Sequence, residues 1–298
     1  MNKTLKFFLV VFVIVSLSAV LAPIFYYFLS SYFHFDNIFN RLIMVFTVAS
    51  AVLFILIPNL KKGSTFKSET WRPYGFDFNF SWQRLFAYGF LAGAFFVVIL
   101  AITEVAFGPR YLRSPLMLQD IIERFIKGMT SGLIVGIVEE FLFRGFIYGH
   151  LQKKMNVFAA VVVASAFYSL CHFFENGQIS LPEHPTVWDS LRLLVGYLEP
   201  LVMRPQIIAG EFIGLFLFGV ILNLAFARTQ SIFMSIGIHA GAVFMIKWQN
   251  SFVRLGPDVE NHFFGKSPYY DGPFEWVMLV VLGFFIWWLT SKRPLSAR

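Results

Sequence analysis

Two adjacent carboxylates, an arginine one helical turn further on, two histidines and an amide stand inside stretches that are otherwise apolar: Glu139, Glu140, Arg144, His172, His239 and Asn223. An ionisable group inside a membrane span costs at least about 2.5–3.5 kcal/mol on insertion scales, so each one needs a partner or a task. At about 100° per residue, Glu140 and Arg144 share a helix face as an i, i+4 pair, while Glu139 points about 100° away. Arg144 is therefore expected to neutralise Glu140 and leave Glu139 available. Two neighbouring acids in apolar surroundings compete for a proton, the property that a general base or acid working near neutral pH requires.

Taken singly, these residues have ordinary explanations. A Glu–Arg pair ties helices together, His172 reads as an interfacial histidine, and Asn223 and Glu211 read as interhelical hydrogen-bonding groups. His239 stands in Gly-Ile-His239-Ala-Gly, where small neighbours admit another helix. Taken together, the residues are the parts needed to activate a water and hold an oxyanion. Amide hydrolysis needs a base, a polariser and an acid for the leaving nitrogen. Carboxylate and imidazole can supply all three, either through a zinc held by Glu139, His172 and His239 or by direct base catalysis. The chain contains no H-E-x-x-H and no G-x-S-x-G, and Cys171 projects from a different helix face than His172. That cysteine is the only one, which excludes an intrachain disulfide and a multi-cysteine metal site.

The elements that must position these groups follow from composition. Of 298 residues, 57% are apolar and 14% charged, with 39 phenylalanines. That is too little charge to coat a soluble globule, and the polypeptide reads as an all-α, polytopic membrane bundle. Eight stretches are long enough to span: Phe7 to Phe28, Arg41 to Ile57, Gln83 to Ala106, Ile122 to Tyr148, Val157 to Phe173, Ile207 to Ala227, Ile232 to Trp248 and Phe274 to Leu289. The first reads as a retained helix rather than a signal peptide, with Pro23 interrupting its far end. The Lys61/Lys62 pair marks the connection after the second span. Two long exposed loops are expected, Glu175 to Pro205 and Gln249 to Pro273, the latter aromatic at His262, Phe263, Phe264, Tyr269 and Tyr270. Organisation reads as 1–120 for three N-terminal spans, 121–248 for a four-span core, and 249–298 for the aromatic loop and last span. An inside N-terminus places thirteen Lys and Arg inside against ten outside, which puts both termini in the cytoplasm. The net charge of +7 reads as topological, directed at lipid and not at nucleic acid.

Glu139-Glu140-Phe-Leu-Phe-Arg144 resembles the E-E-x-x-x-R motif of the CPBP family, the CAAX prenyl endopeptidases and bacteriocin-processing relatives. Tyr168 to His172 resembles the family's F-x-x-x-H motif, with Tyr in place of Phe. The stretch from Phe218-Gly219 through Arg228-Thr229-Gln230-Ser231 to Ile238-His239-Ala240 resembles its third block. The resemblance covers roughly Gly128 to Met245. It implies an intramembrane endopeptidase, of metallo or glutamate type, in which Glu139 and His172 activate water and His239 helps to hold the oxyanion. Glu140 and Arg144 take supporting roles, and zinc is the one cofactor implied. Val243 stands where many members have Asn, which leaves an oxyanion donor unassigned; Asn223 is a candidate replacement. The expected partners are a membrane protein or lipidated peptide substrate and membrane lipids, in a prokaryotic inner membrane. A proton- or ion-coupled transporter and an inactive scaffold or immunity protein of the same fold are the competing readings. Convergence of the site also requires tilted helices, because a 1.5 Å rise puts Glu139, His239 and His172 at depths of ~14, ~10 and ~22 Å from the inner side.

Overall fold

Backbone amides in lipid must bond within their own segment, so long apolar runs fold as helices. The computed structural model describes residues 3–30, 32, 38–60, 71–78, 81–173, 182–203, 205–256, 263–265 and 269–291; Lys61, Lys62 and His262, invoked above, lie outside the described residues. Helices occupy all eight expected stretches: α1 Lys3–Ser30, α2 Ile38–Leu60, α3 Trp82–Phe107, α4 Leu118–Glu140 continued by a π-helical segment Phe141–Tyr148, α5 Val157–Cys171, α8 Pro205–Thr229, α9 Ile232–Gln249 and α10 Pro273–Leu289. Pro23 is carried within α1 and does not end it.

The molecule is an all-α membrane-type fold. Among the described residues, four helical stretches are long and apolar enough to cross a bilayer: Phe12–Ser30, Trp82–Phe107, Ile208–Thr229 and Ile232–Gln249. The apolar stretches Ile38–Val52, Val157–Cys171 and Pro273–Leu289 are shorter. The helix at the fourth expected span, α4, starts at Leu118 and carries Asp120, Glu123, Arg124 and Lys127 along its first turns as well as the acid pair.

The expected loop from Glu175 to Pro205 instead contains two helices, α6 Val187–Gly196 and α7 Glu199–Met203. The start of α6 is fixed by a capping box, in which the Thr186 side chain accepts from the Asp189 N–H and the Asp189 carboxylate accepts from the Thr186 N–H. The Thr186 hydroxyl also donates to Asp189 at 2.7 Å, and these bonds hold the Asp189 carboxyl below the usual carboxylate range. The other loop contains a short strand, β2 Val253–Leu255, antiparallel to β1 Arg110–Leu112 with Tyr111 opposite Arg254.

Two compact units result: residues 1–66 with 171–208, and residues 67–170 with 209–298. In the first, Ala22, Phe39, Ile43, Leu193 and Tyr197 form the core, and the Tyr197 hydroxyl donates to Asn40.

The second unit is built around α9, which is buried along nearly its whole length between α3 and α4. Glycines make this approach possible. Gly89 and Gly93 of α3 meet the carbonyls of Met234 and Ile238, while Gly237 and Gly241 of α9 meet those of Phe86 and Phe90. On the other side, Gly128, Gly132 and Gly136 of α4 face the carbonyls of Phe244, Ala240 and Ile236; a Cβ on Gly132 would lie 2.5 Å from Ala240 O. Lipid supplies no hydrophobic drive between helices, so close backbone packing across such small-residue seams carries the association.

The segment before α3 closes one end of this unit. Gly75 adopts a left-handed φ of 86°, its carbonyl accepts from the Ile232 N–H at 3.0 Å, and Phe76 packs on Phe141 and Phe233. At the other end, buried Glu104 pairs with Arg110, whose guanidinium lies 4.5 Å from the centre of the Tyr269 ring. Burial pushes the Tyr269 phenol well up, against the opposing pull of Arg110. The chain beside Tyr269 rests on α8, with the Tyr270 carbonyl against Gly214 and the Asp271 carbonyl against Gly210.

Candidate active site

Glu139 and Glu140 are the last two residues of α4, and Arg144 lies in the π segment that follows. A π turn rotates the side chains after it relative to those before it, and such turns gather at functional sites. Arg144 Nη1 donates to Glu140 Oε1 at 2.9 Å, with both side chains fully buried. Its Nη2 reaches the Gly219 carbonyl of α8 at 3.4 Å. The guanidinium lies 4.4 Å from the centre of the Tyr168 ring on α5, within cation–π range. One buried cation thus joins α4, α5 and α8.

His239 enters from α9, brought close by the glycine seams. Its Nδ1 lies 2.8 Å from Glu140 Oε1, so the carboxylate holds the ring proton on Nδ1. The same geometry directs Nε2 toward Glu139 Oε2 at 3.9 Å. That separation is too long for a direct hydrogen bond and lets both groups reach one water. The Phe218 and Tyr168 rings stand edge-on to the imidazole at 5.6 and 6.3 Å. Glu139 remains 29% exposed while Glu140 and His239 are buried, so the most accessible acid of the cluster is the one that the Arg144 bond does not engage.

Glu139, Glu140, Arg144 and His239 are therefore drawn together. Asn223 is 1% exposed, and its Nδ2 donates to Ser165 Oγ at 2.9 Å, fastening α8 to α5. His172 falls in the other compact unit, exposed in the turn after α5. Among the described residues no group of three His, Cys, Asp or Glu side chains is placed to hold a metal ion. Glu140 Oε1 is already committed to Arg144 and His239.

An apolar groove of about 330 Å³ runs between α8 and α10 along Leu217, Ile221, Leu279 and Trp287 and shares no residue with the cluster. Sequence reasoning also passed over Tyr168 and Gly219 as parts of the site. Tyr168 was visible only as an altered motif position. The Gly219 contact is made by a main-chain carbonyl, which no side-chain pattern announces.

Residues 122–245 match the family model of the Rce1-like Type II CAAX prenyl endopeptidases. No curated protein and no solved structure matches the chain.

Proposed function

From the Rce1-like domain at residues 122–245, which supports a CPBP-family protease, we propose that this membrane protein is an endopeptidase cleaving a membrane-associated, lipidated peptide near its C-terminus. The observation that carries the reading is the relay Arg144–Glu140–His239, which leaves His239 Nε2 and the partly exposed Glu139 facing each other. Glu139 takes a proton from water, and the water oxygen attacks the scissile carbonyl carbon. His239, oriented by the Glu140 carboxylate on Nδ1, turns Nε2 to the developing oxyanion. As the tetrahedral intermediate collapses, the C–N bond breaks and Glu139 returns its proton to the leaving nitrogen. Arg144 holds Glu140 in register. His172 belongs to the proposal through its motif, as a second group acting on the water. In this reading the acids and imidazoles carry each step.

The alternatives of a transporter and an inactive scaffold make opposite predictions. Purified protein in liposomes, given an internally quenched peptide ending in a prenylated Cys-a-a-X, is expected to cleave it. Cleavage should disappear in Glu139→Ala and His172→Ala variants that retain their helical spectrum, and should persist in a metal chelator. Cleavage by Glu139→Ala at the wild-type rate rules the reading out.

A further inference from the structure

We propose that α6 and α7 are embedded at the membrane interface, and that the apolar face they turn outward is covered by phospholipid of the leaflet at the end of α1. The inference stands on the membrane fold and is independent of the protease reading. It reverses the exposed loop expected between Glu175 and Pro205.

Depth comes from what α6 rests on. Leu193 and Tyr197 of α6 share one core with Ala22 of α1 and with Phe39 and Ile43 of α2. Those partners stand within the apolar stretches Phe12–Ser30 and Ile38–Val52. At a 1.5 Å rise, Ala22 is ~12 Å from the end of α1 at Ser30, and Ile43 is ~8 Å from the start of α2 at Ile38. The approach to α6 touches α1 nearer its end, where His184 stacks on Tyr27 at 5.9 Å. Helices lying in the membrane interface bury their apolar face by about 5–10 Å, close to the depth at which α6 sits. Backbone at this depth must find its partners within the chain. The capping box engages the start of α6. The N–H groups of Tyr197, Leu198 and Val202 donate to the carbonyls of Leu193, Val195 and Leu198, which carries the hydrogen bonding on into α7.

The outward face is apolar as well. At about 100° per residue, Trp188, Leu191 and Val195 lie on the side of α6 away from Leu193 and Tyr197. Trp188 is 71% exposed, and Val195, Val202 and Met203 are each 70% exposed. So broad an apolar face marks a surface that meets a membrane or another protein, and its seat on two apolar spans selects the membrane. Arg192 borders the face and is exposed, with a stem long enough to bring its guanidinium to lipid phosphate. Tryptophan is among the side chains favoured at that boundary.

The test uses the full chain in liposomes. The Trp188 signal is the difference in fluorescence between the wild type and Trp188→Phe, a variant that keeps an apolar ring on the face. That signal is expected to fall at least about twofold in vesicles whose acyl chains carry bromine ~5–10 Å below the headgroups. Trp287 and Trp288, both exposed on α10, remain in the variant and report contact with the brominated lipid. Quenching of the variant with no loss of the Trp188 difference overturns the proposal and leaves the membrane fold standing, whereas an unquenched variant overturns both. A nitroxide on Val195→Cys, in a Cys171→Ser background, is expected to collide more often with oxygen than with a water-soluble nickel complex. The reverse order places α6 in water, and shielding from both places a second copy or another protein on the face; either result refutes the inference. Neither measurement reads peptide cleavage, so failure of the protease reading leaves this one untouched.

Discussion

Replacing Glu140 with glutamine changes one atom and tests the central relay. Glu140 Oε1 accepts from Arg144 at 2.9 Å and stands 2.8 Å from His239 Nδ1. Taking the charge off the acceptor of these two bonds loses roughly 1 kcal/mol each, about 2 kcal/mol together. The larger effect is electrostatic, because Arg144 is fully buried and would keep its charge without a counterion. Breaking one side of a buried pair typically costs about 3–5 kcal/mol, so Glu140→Gln is expected to destabilise the protein by about that amount. Arg144→Met, which strands the opposite charge, should do the same.

The double variant removes both charges, and its loss should fall short of the sum by about 1–3 kcal/mol, the coupling of residues in direct contact. Denaturant unfolding in detergent, followed by tryptophan fluorescence, reads all three variants. Activity should separate from stability. The double variant regains much of its stability yet stays at least about a hundredfold slow in kcat, because the imidazole has lost its carboxylate and about 2.7 kcal/mol of transition-state stabilisation goes with it. Additive losses in the double variant, or wild-type stability and kcat in Glu140→Gln, would refute the relay.

Gly132→Ala places a Cβ 2.5 Å from the Ala240 carbonyl, next to His239, so α4 and α9 must separate. A loss of about 1–3 kcal/mol in the same unfolding assay is expected, together with reduced kcat as Glu139 and His239 move apart; full activity and stability would show that the seam yields freely. The capping box of α6 is expected to weaken in acid. Asp189 is held below its ordinary range in the folded state, so its contribution is complete above the unfolded carboxyl pKa and is lost as pH falls through the folded one. Hydrogen exchange over residues 187–196 should accelerate below about pH 4 and become insensitive to pH in Asp189→Asn, while Thr186→Ala should cost about 0.5–2 kcal/mol of local stability at neutral pH.

The legible part of this molecule is the part in which local pattern and tertiary requirement coincide. Apolar runs of span length announced helices because the bilayer leaves the backbone no other way to satisfy its amides. The spacing of Glu140 and Arg144 announced their ion pair because it is set within one turn. The α6 helix was legible too: Thr186-x-x-Asp189 is a helix start, masked by the prolines around it. The long-range features behaved differently. The Gly128/Gly132/Gly136 row marks a close helix contact, yet nothing in it says that the facing carbonyls belong to α9. The π segment that follows the acid pair has no sequence signature.

His239 shows the consequence most directly. Depth along ideal helices placed it near the level of Glu139 but named no partner for it, and the seams on both sides of α9 bring Nε2 to 3.9 Å from the acid. Its immediate partner is Glu140, ninety-nine residues earlier, an acid that spacing alone had assigned wholly to Arg144. One carboxylate oxygen serving both a guanidinium and an imidazole is a tertiary arrangement. It gives the two adjacent acids different surroundings: Glu140 is held by Arg144 and orients the imidazole, while Glu139 Oε2 stands 3.9 Å from Nε2.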